Sequence, residues 1–527
     1  MMTRRLRAQI LTTAALLAGA MVASSSPTTA IDAARVSRTG GTPAIAPVET
    51  EPNIIFFLAD DLATYHLPHM PNTRRFIFRQ GARFTNYYAN IGLCCPSRVS
   101  LLTGKYAHNT GVGGNSFPDG FHGFHVGDES SRTVAISLRR RAGYTTGLLG
   151  KYLNEYPFVE SSPSNAVRRT FVPPGWADWA VPIKGQYYGT DYLLNVNGRI
   201  KHKFRPRDYL GDLLTRRAIR KIDRNRDRRG LMLVLSSYAP HMPEPASPTE
   251  KNDAVLNARI ARLAFPRTPD FNEADVSDKP RHIRRLPRLT RAQQAEVDRI
   301  YRRQLVSLAT IDRHVGEVVQ ALRRTDQLSN TYLVFSSDNG YHMGNHRLPI
   351  GKNTPYLSDL RVPLGIRGPG IAPGTIVRDL TGTIDVAPTF ADMAGIELPY
   401  LHDGESLLPL AQGAQPETWR RFFLVQRGSV GDVPSRVAAE PARLAEQRAA
   451  RLITGWRGVV TQRWQYARYR NGDEELYDGS VDPHQLHNIL ARPLEEQSPE
   501  QRQAHDDLQE ALEQLSGCAG PTNCRLP

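Results

Sequence analysis

The chain has 527 residues, a hydrophobic fraction of 40% and a formal net charge of +15 at pH 7. This length and composition suit a globular protein with one large domain and a smaller companion. The arginine clusters over 216–229 and 281–291 are interrupted by acids and prolines, and no nucleic-acid motif accompanies them, which argues against a nucleic-acid groove.

The excess of positive charge has two explanations that the sequence leaves open. A positive surface attracts sulfated or phosphorylated polymers. The basic residues are, however, overwhelmingly arginine, as a GC-rich genome would produce without selection for a ligand.

The first 30 residues have the features of an export signal. Three arginines among the first seven residues precede an apolar run over 10–23, and small residues at 28–30 suit cleavage. The apolar run is too short to span a bilayer comfortably, and no other stretch is long enough. There is no cysteine near the cleavage site, so a lipid anchor is not indicated. We therefore expect a secreted protein without stable membrane insertion, in which residues 31–50 form a flexible leader.

The first predicted element of the fold is a buried strand over 53–59. This run is apolar without alternation, as expected for a strand that is covered on both faces. It leads directly into Asp60 and Asp61, whose adjacent carboxylates repel each other unless a positive charge lies between them. A hard divalent cation, which prefers oxygen ligands, would supply that charge. A solvated Asp-Asp turn is the alternative.

The most informative stretch covers residues 94–104. It places Cys94 at the start of a run with helical spacing, with Arg98 one turn further on and a glycine at the end. The first turn of a helix presents unpaired backbone N–H groups and the positive end of the helix dipole, so an anion beside Cys94 would be stabilised. The alternatives are a buried thiol beside an ordinary helix and a strained disulfide between Cys94 and Cys95.

Three further buried strands are each followed by polar residues that could contribute to a site. These strands are predicted over 145–149, 231–235 and 331–336, and the residues after them are Lys151, His241, Asp338 and Asn339. Ligands of open α/β sheets gather at the carboxyl ends of strands. We therefore expect Asp338 and Asn339 to complete an oxygen cage with Asp60 and Asp61. A simple turn around Asp338 is the alternative.

Two segments between these strands lack clear periodicity. The first is aromatic and contains Trp176, Trp179, Tyr187 and Tyr188; we favour the interpretation that these rings pack the loop down, and stacking against sugar rings is the alternative. The second segment, 243–291, is a long insertion rich in proline and arginine, and loops of this length tend to be lids or substrate walls.

The remaining predicted elements complete the fold. Helices are predicted over 73–80, 133–141, 292–324 and 499–515, the last with Ser498 as N-cap, and strands over 84–89, 421–425 and 455–469. Cys518 and Cys524 enclose a short loop, and in an exported protein a disulfide is the simplest interpretation. Cys94 and Cys95 are then unpaired, which fits chemistry better than structure.

At residues 94–104 the chain resembles the sulfatase family. The signature of that family is Cys-x-Pro-Ser-Arg followed by Leu-Thr-Gly, and every element of it is present here. The resemblance, which runs from about residue 53 to residue 404, implies an alkaline-phosphatase-like α/β fold with a mostly parallel central sheet flanked by helices and a smaller C-terminal antiparallel sheet plus helix. The implied organisation is a signal peptide over 1–30, a leader over 31–50, a catalytic domain over 51–410 and a C-terminal subdomain over 411–527.

The resemblance also implies roles for individual residues. Cys94 would be oxidised to formylglycine (3-oxoalanine) by a maturation enzyme, which is an expected partner. The implied ligands of a calcium ion are Asp60, Asp61, Cys94, Asp338 and Asn339. The implied catalytic residues are Cys94, Arg98, Lys151, His241 and Lys352, of which the two lysines would contact sulfate oxygens and the histidine would protonate the leaving alcohol.

The chain departs from many relatives at one position. They carry a histidine two residues after the first lysine, assigned to deprotonating the aldehyde hydrate, where this chain has Leu153. His342 and His346 are candidates for that missing base or for the pocket wall. Lys105 is placed either near the sulfate site or as a cation at the helix C-terminus.

The stretch 150–156 and the residues around Trp176 and Trp179 resemble the N-acetylglucosamine-6-sulfatase and heparan endosulfatase branch, as does the Cys-Cys form of the signature. The implied function is hydrolysis of sulfate esters in a sulfated carbohydrate. A phosphate or phosphonate ester hydrolase on the same scaffold is one alternative, and a noncatalytic binder of sulfated glycans with unmodified Cys94 is another.

Overall fold

The computed structural model describes residues 51–157, 169–184, 187, 189–225, 230–242, 246–427 and 455–526. The predicted signal peptide and leader over 1–50 lie outside these residues, as do 226–229, Tyr188 and 243–245. None of the described helices is both long enough and apolar enough to cross a membrane.

The strands of the described residues form three sheets. In chain order they are β1 Asn53–Asp60, β2 Ala82–Phe84, β3 Tyr87–Tyr88, β4 Thr145–Gly150, β5 Asp178–Lys184, β6 Tyr192–Val196, β7 Arg199–Lys203, β8 Leu231–Pro240, β9 Thr331–Ser337, β10 Leu364–Arg367, β11 Thr375–Val377, β12 Thr381–Gly382, β13 Phe423–Gln426, β14 Trp456–Val460, β15 Trp464–Tyr469 and β16 Glu474–Asp478.

The described residues form seven α-helices of eight residues or more and eight shorter ones. The helices of eight residues or more are α1 Cys94–Thr103, α2 Val134–Arg141, α3 Leu210–Arg224, α4 Ala254–Ala261, α5 Arg291–Arg324, α6 Val386–Met393 and α7 Pro499–Leu515. Shorter helices cover Pro71–Thr73, Ala107–Thr110, Gly120–Val126, Pro248–Lys251, Arg281–Arg284, Leu357–Leu360, Leu408–Ala411 and Pro521–Cys524.

The largest sheet has ten strands in the order β11-β2-β10-β9-β1-β8-β4-β5-β6-β7. Its centre is parallel, because β1 lies between β9 and β8, and β4 and β5 continue in the same direction beyond β8. β10 runs antiparallel to β9, and β5, β6 and β7 form an antiparallel edge. β3 pairs with β12 in a small parallel sheet, and β13 to β16 form a separate antiparallel sheet. The predicted fold class is therefore confirmed.

Strand β1 lies at the centre because its side chains are apolar on both faces. Ile54, Phe56 and Leu58 pack into one core, whereas Ile55 and Phe57 pack into the core on the opposite face. Helices α1, α2 and α6 cover the first face, and α3 and α5 cover the second. Burial of each large side chain stabilises the fold by about 1.5–3 kcal/mol, so this strand fixes the middle of the sheet.

The C-terminal sheet is covered by α7. Leu508, Leu512 and Leu515 of this helix pack with the sheet residues Val459 and Tyr466. The helix begins as predicted, since the Ser498 hydroxyl accepts a hydrogen bond from the Gln501 N–H at 3.2 Å and a proline occupies the first helical position. Cys518 and Cys524 form a disulfide after the helix ends.

Two predicted elements differ in detail from the structure. The helix predicted over 73–80 is a short helical turn, Pro71–Thr73, followed by a wider π-helical turn, Arg74–Phe78. The wider turn directs three consecutive apolar side chains, from Phe76 to Phe78, toward the core. The strand predicted over 84–89 is interrupted after Phe84, so β2 and β3 belong to different sheets.

The two segments without periodicity contain more order than their sequences indicate. The described part of the insertion carries α4 and two short helices. Trp176 and Trp179 are 5% and 0% exposed, which confirms that these rings pack the loop down.

One buried histidine makes stability depend on pH. The Nδ1 atom of His66 accepts a hydrogen bond from the Ala63 N–H at 3.2 Å, and its Nε2 atom lies 3.3 Å from Oε1 of Gln304, so the imidazole is held neutral. Burial lowers the pKa of His66 from 6.5 to about 3. Between these values the unfolded chain binds a proton that the folded chain excludes, so stability falls as the pH is lowered from 6.5 toward 3.

We expect this histidine alone to reduce the free energy of unfolding by about 2 kcal/mol between pH 7 and pH 5. Burial also lowers the pKa of His282, to about 4, so His66→Gln should still lose some stability. In urea denaturation at both pH values, the loss should be about 2 kcal/mol smaller in His66→Gln than in the wild type and in His202→Gln, whose histidine is exposed. An imidazole NMR titration of His66 with a midpoint near 6.5 would contradict the prediction.

Candidate active site

The candidate site lies at the carboxyl ends of the central parallel strands. Asp60 ends β1 and Asp61 follows it, while Asp338 and Asn339 follow β9. Because β1 and β9 are adjacent and parallel, these residues reach the same edge of the sheet. Asp61 has a φ of +64°, a left-handed conformation that turns the chain sharply after the strand.

Helix α1 begins at this edge and places Cys94 among the carboxylates. Leu93 is extended and serves as N-cap, and Gly104 ends the helix with a φ of +76°. The Cys94 Sγ atom is 3.4 Å from Oδ1 of Asp60 and 3.9 Å from Oδ1 of Asp61. The thiol is 1% exposed, and burial raises its pKa well above 9 despite the nearby Lys151 and Lys352.

The donor set at this position fits a cation. Ligand atoms of Asp60, Cys94 and Asp338 lie within 4.8 Å of one another, and all three residues are buried. The Oδ1 atom of Asn339 is also buried and has no hydrogen-bond partner among the described residues, while its Nδ2 donates to Asp61 at 2.6 Å. A cluster of carboxylate and amide oxygens with an unsatisfied acceptor is what a hard divalent cation requires.

Two buried lysines pair with the aspartates. Lys151 Nζ is 2.6 Å from Oδ2 of Asp60. Lys352 Nζ is 2.5 Å from Oδ1 of Asp61 and 2.8 Å from the Cys94 Sγ. Burial opposes ionisation of both aspartates, but Lys151 for Asp60 and Lys352 for Asp61 hold each pKa below 3.8. The two aspartates are therefore held in charged form.

Arg98 is fixed on the inner side of the site. Its Nε donates to Oδ2 of Asp338 at 2.7 Å, and one terminal nitrogen donates to the Ser236 hydroxyl at 2.7 Å and to the Lys151 carbonyl at 3.1 Å. Ser236 was not among the predicted site residues. The available signal was a polar residue directly after the apolar run of β8.

Gly150 allows β4 to deliver Lys151. Its φ is +117°, and a Cβ atom at this position would lie 1.8 Å from the Ser236 carbonyl oxygen. Only glycine permits this close approach, which lets the Lys151 N–H donate to the same carbonyl at 2.8 Å. The Gly-Lys pair therefore sets the position of the lysine.

His241 reaches the site from the end of β8. Its Nδ1 atom lies 2.6 Å from the Met242 carbonyl oxygen, and its Nε2 atom lies 3.7 Å from Oδ2 of Asp61. The ring of Tyr187 is 4.8 Å from the imidazole and 5.8 Å from Lys151 Nζ. The prediction that the aromatic rings pack the loop down is therefore correct for the two tryptophans, whereas Tyr187 forms part of the wall of the site.

The other polar residues singled out in the sequence have structural partners. Lys105 pairs with Glu129 at 2.7 Å. The Nδ1 atoms of His342 and His346 bind Asp359 at 2.9 Å and Glu273 at 2.6 Å, respectively. Leu153 lies in the hydrophobic core. Within the described residues, neither histidine has a hydrogen bond to Cys94, so the structure offers no support for either of them as the missing base.

The fold is that of an α/β protein with a mostly parallel central sheet, and the candidate site places a buried cysteine at a helix start beside carboxylate and amide oxygens. A family model described as Sulfatase matches residues 52–396. The chain belongs to the sulfatase family.

The relatives of this chain are sulfatases. It is 32% identical to the human N-acetylglucosamine-6-sulfatase over 513 residues, which cover 92% of this chain and 87% of that protein. It is 34% identical to the Drosophila melanogaster extracellular sulfatase SULF-1 homolog, which it matches over 76% of its own length. The chain spans 35% of that fly protein and 53% of the Caenorhabditis elegans homolog.

The fold is shared with solved structures. One of them is a protein in complex with its substrate, D-glucosamine-2-N,6-O-disulfate, with a TM-score of 0.67 and 22% sequence identity. The match covers 88% of this chain and 97% of that structure.

Proposed function

We propose that the protein is a secreted sulfatase that hydrolyses sulfate esters of sulfated sugars such as N-acetylglucosamine 6-sulfate units. The observation that carries this proposal is the placement of Cys94 at the start of α1, in contact with Lys352 and the carboxylates of Asp60 and Asp61. The identity to N-acetylglucosamine-6-sulfatase over most of both chains supports the choice of sugar.

Formylglycine at position 94 is the second part of the proposal. Burial raises the pKa of the Cys94 thiol, so the unmodified residue is a poor nucleophile. A thiol also lacks the second hydroxyl that an aldehyde hydrate would use to expel sulfate. The proposal therefore includes a maturation enzyme as a partner. This enzyme would act on the signature before the chain folds, because folding buries Cys94.

Calcium is the third part of the proposal. Asp60, Asp61, Asp338 and Asn339 would hold the ion together with residue 94, because their oxygen atoms converge at one edge of the sheet. When bound, the ion would act as a Lewis acid on the sulfate and on the hydrate oxygen.

The chain's own residues would then carry the reaction. One hydroxyl of the residue-94 hydrate gives up its proton to water, its oxygen forms a bond to sulfur, and the bond from sulfur to the sugar oxygen breaks. His241 donates a proton to the departing sugar oxygen. The second hydroxyl then loses its proton to water, the C=O bond re-forms, and the C–O bond to sulfate breaks, which releases sulfate and restores the aldehyde.

Fixed positive groups would stabilise the transition state. Arg98, Lys151 and Lys352 lie near position 94 and are each at most 6% exposed, so charge developing on the sulfate oxygens would meet preorganised cations away from bulk water. Arg98 and Lys151 are further held by hydrogen bonds to Asp338 and Asp60, which limits reorganisation during the reaction.

Sulfate release tests this function directly. Purified protein from its own host should release sulfate from N-acetylglucosamine 6-sulfate and from an aryl sulfate, and should act far more slowly on the matching aryl phosphate. Faster hydrolysis of aryl phosphate would support the phosphoesterase alternative. Binding of the sulfated sugar without turnover would support the noncatalytic alternative.

Replacement of His241 should affect substrates according to their leaving groups. We expect His241→Asn to lower kcat/KM for a sugar sulfate by about 10²–10³-fold, because the poor alcohol leaving group needs a proton. Nitrophenyl sulfate should lose less than about tenfold, since nitrophenolate leaves as an anion. Steady-state kinetics on both substrates measure the difference, and equal losses would show that His241 is not the proton donor.

A further inference from the structure

A cavity of about 510 Å³ lies between the C-terminal sheet and α7. Its walls come from the segment before β13, the turn between β14 and β15, and the first half of α7. The residues that matter here are Trp419, Phe422, Gln462, Trp464, Gln503 and Asp507. We name it the C-terminal cavity, and none of its lining residues belongs to the candidate active site.

Half-buried aromatic rings form the apolar part of the C-terminal cavity. Trp419, Phe422 and Trp464 all line it and are each partly exposed. The indole N–H of Trp419 donates to the Leu380 carbonyl at 2.8 Å, which fixes the plane of that ring. The guanidiniums of Arg420 and Arg463 lie over one face of Trp419 and of Trp464, at 5.3 and 4.4 Å from the ring centres. The opposite indole faces are suited to stacking against the apolar face of a pyranose ring.

Trp464 is the first residue of β15, and the arginine before it contacts both its ring and α7. The guanidinium of Arg463 lies 4.4 Å from the centre of the Trp464 ring. Arg463 is itself paired with Asp478 at 2.7 Å and with Glu500 of α7 at 2.5 Å. Arg463 thus connects the turn between β14 and β15 to α7, so these walls of the cavity are already in contact before a ligand binds.

The polar rim of the C-terminal cavity suits hydroxyl and amide groups. Gln462 and Gln503 are exposed, and the Gln503 side chain donates to Asp507 at 2.7 Å. Arg420 also lines the cavity, and its Nε–H is buried without a hydrogen-bond partner among the described residues, although its terminal nitrogens bind Asp385. The rim thus offers both donors and acceptors.

The charge of the lining distinguishes this cavity from the candidate active site. Its basic residues are Arg420, Arg421 and Arg463, and its acidic residues are Asp379, Glu500 and Asp507. The formal charges cancel, whereas a site for sulfate requires a positive excess. An uncharged ligand is therefore favoured.

We propose that the C-terminal cavity is a second saccharide site, which binds an unsulfated, uncharged sugar unit such as N-acetylglucosamine. The proposal rests on the proposed function only for the choice of sugar. A polymeric substrate held here would have a raised effective concentration at the candidate active site, whereas a small sulfate ester would gain nothing.

Isothermal titration calorimetry with the uncharged tetramer of N-acetylglucosamine tests this proposal on the full chain. We expect the wild type to bind it, and Trp464→Ala and Trp419→Ala each to raise Kd by about tenfold, the loss of one stacking contact. Gln503→Ala, on the exposed side of α7, should raise Kd by a few-fold without perturbing the fold. The matched control is Phe204→Ala, which removes an aromatic residue that is 61% exposed and outside the cavity.

Aryl sulfate kinetics separate this proposal from the proposed function. The cavity variants should keep the wild-type kcat/KM on nitrophenyl sulfate, and a wild type that releases no sulfate would contradict the proposed function whatever the calorimetry shows. The second site is overturned if the wild type does not bind the tetramer, if Trp464→Ala, Trp419→Ala and Gln503→Ala all bind it as the wild type does, or if Lys352→Met alone abolishes binding.

Discussion

Replacement of Cys94 by alanine should lower sulfatase activity by at least about 10³-fold while the protein remains folded. Cys94 lies at the start of α1 with its Sγ 2.8 Å from Lys352 Nζ, and alanine keeps the helix but removes the reactive group. In the wild type, the tryptic peptide 84–98 should be about 18 Da lighter than the cysteine-containing sequence, because formylglycine replaces the thiol with an aldehyde. Mass spectrometry of protein from its own host measures that difference.

Cys95→Ala is the matched control for this experiment. Cys95 is the adjacent buried free cysteine, and it lies in the hydrophobic core rather than among the carboxylates. Burial raises the pKa of its thiol to about 12, so it has no nucleophilic role. We expect Cys95→Ala to retain activity within a few-fold. An intact thiol at position 94 in fully active, exported protein would contradict the formylglycine mechanism.

Asp338→Asn should remove both calcium binding and activity. Asp338 accepts hydrogen bonds from Arg98 at 2.7 Å and from the Asp61 N–H at 3.2 Å, so it links Arg98 to the proposed cation site. Loss of its charge leaves Arg98 buried without its anionic partner, which costs about 3–5 kcal/mol of stability. We expect a fall in kcat/KM of at least about 10²-fold.

Thermal unfolding with and without calcium gives a readout that does not depend on turnover. The wild type should be stabilised by about 2.7 kcal/mol at a hundredfold excess of calcium over its Kd, and Asp338→Asn should show almost none of this effect. Asp385→Asn is the control, because it breaks another buried pair, with Arg420 at 2.7 Å, outside the site. A calcium response that survives in Asp338→Asn, or that is lost equally in Asp385→Asn, would contradict the proposed ligand set.

The ends of the central strands illustrate how far the sequence predicts this site. Runs without polar–apolar alternation located β1, β4, β8 and β9, because strands buried on both faces do not alternate. Helical spacing after Cys94 located α1 and its N-terminus. The polar residues that follow these elements therefore meet at one edge of the sheet, as parallel strand order requires.

Other features depend on contacts between distant parts of the chain. The sequence shows a polar residue after the apolar run of β8. It does not show that the Ser236 hydroxyl accepts a hydrogen bond from Arg98, or that Gly150 lies against the Ser236 carbonyl. The same limit applies to Tyr187, whose ring lies beside His241 while the neighbouring tryptophans are buried in the core. All three residues are aromatic and belong to the same segment, so only the path of the chain decides which ring lines the site and which rings are buried.

The sequence by itself determined the buried strands, the helix at Cys94 and the residue types at the strand ends, because apolar runs and helical spacing are properties of local chain segments. The resemblance of the short signature to the sulfatase family implied the family and the fold class. The tertiary structure decided which side chains pair, which histidine faces the site and where a second cavity forms. Those outcomes depend on register, on close backbone approach at Gly150 and on packing between α7 and the C-terminal sheet, which bring together residues that are far apart along the chain.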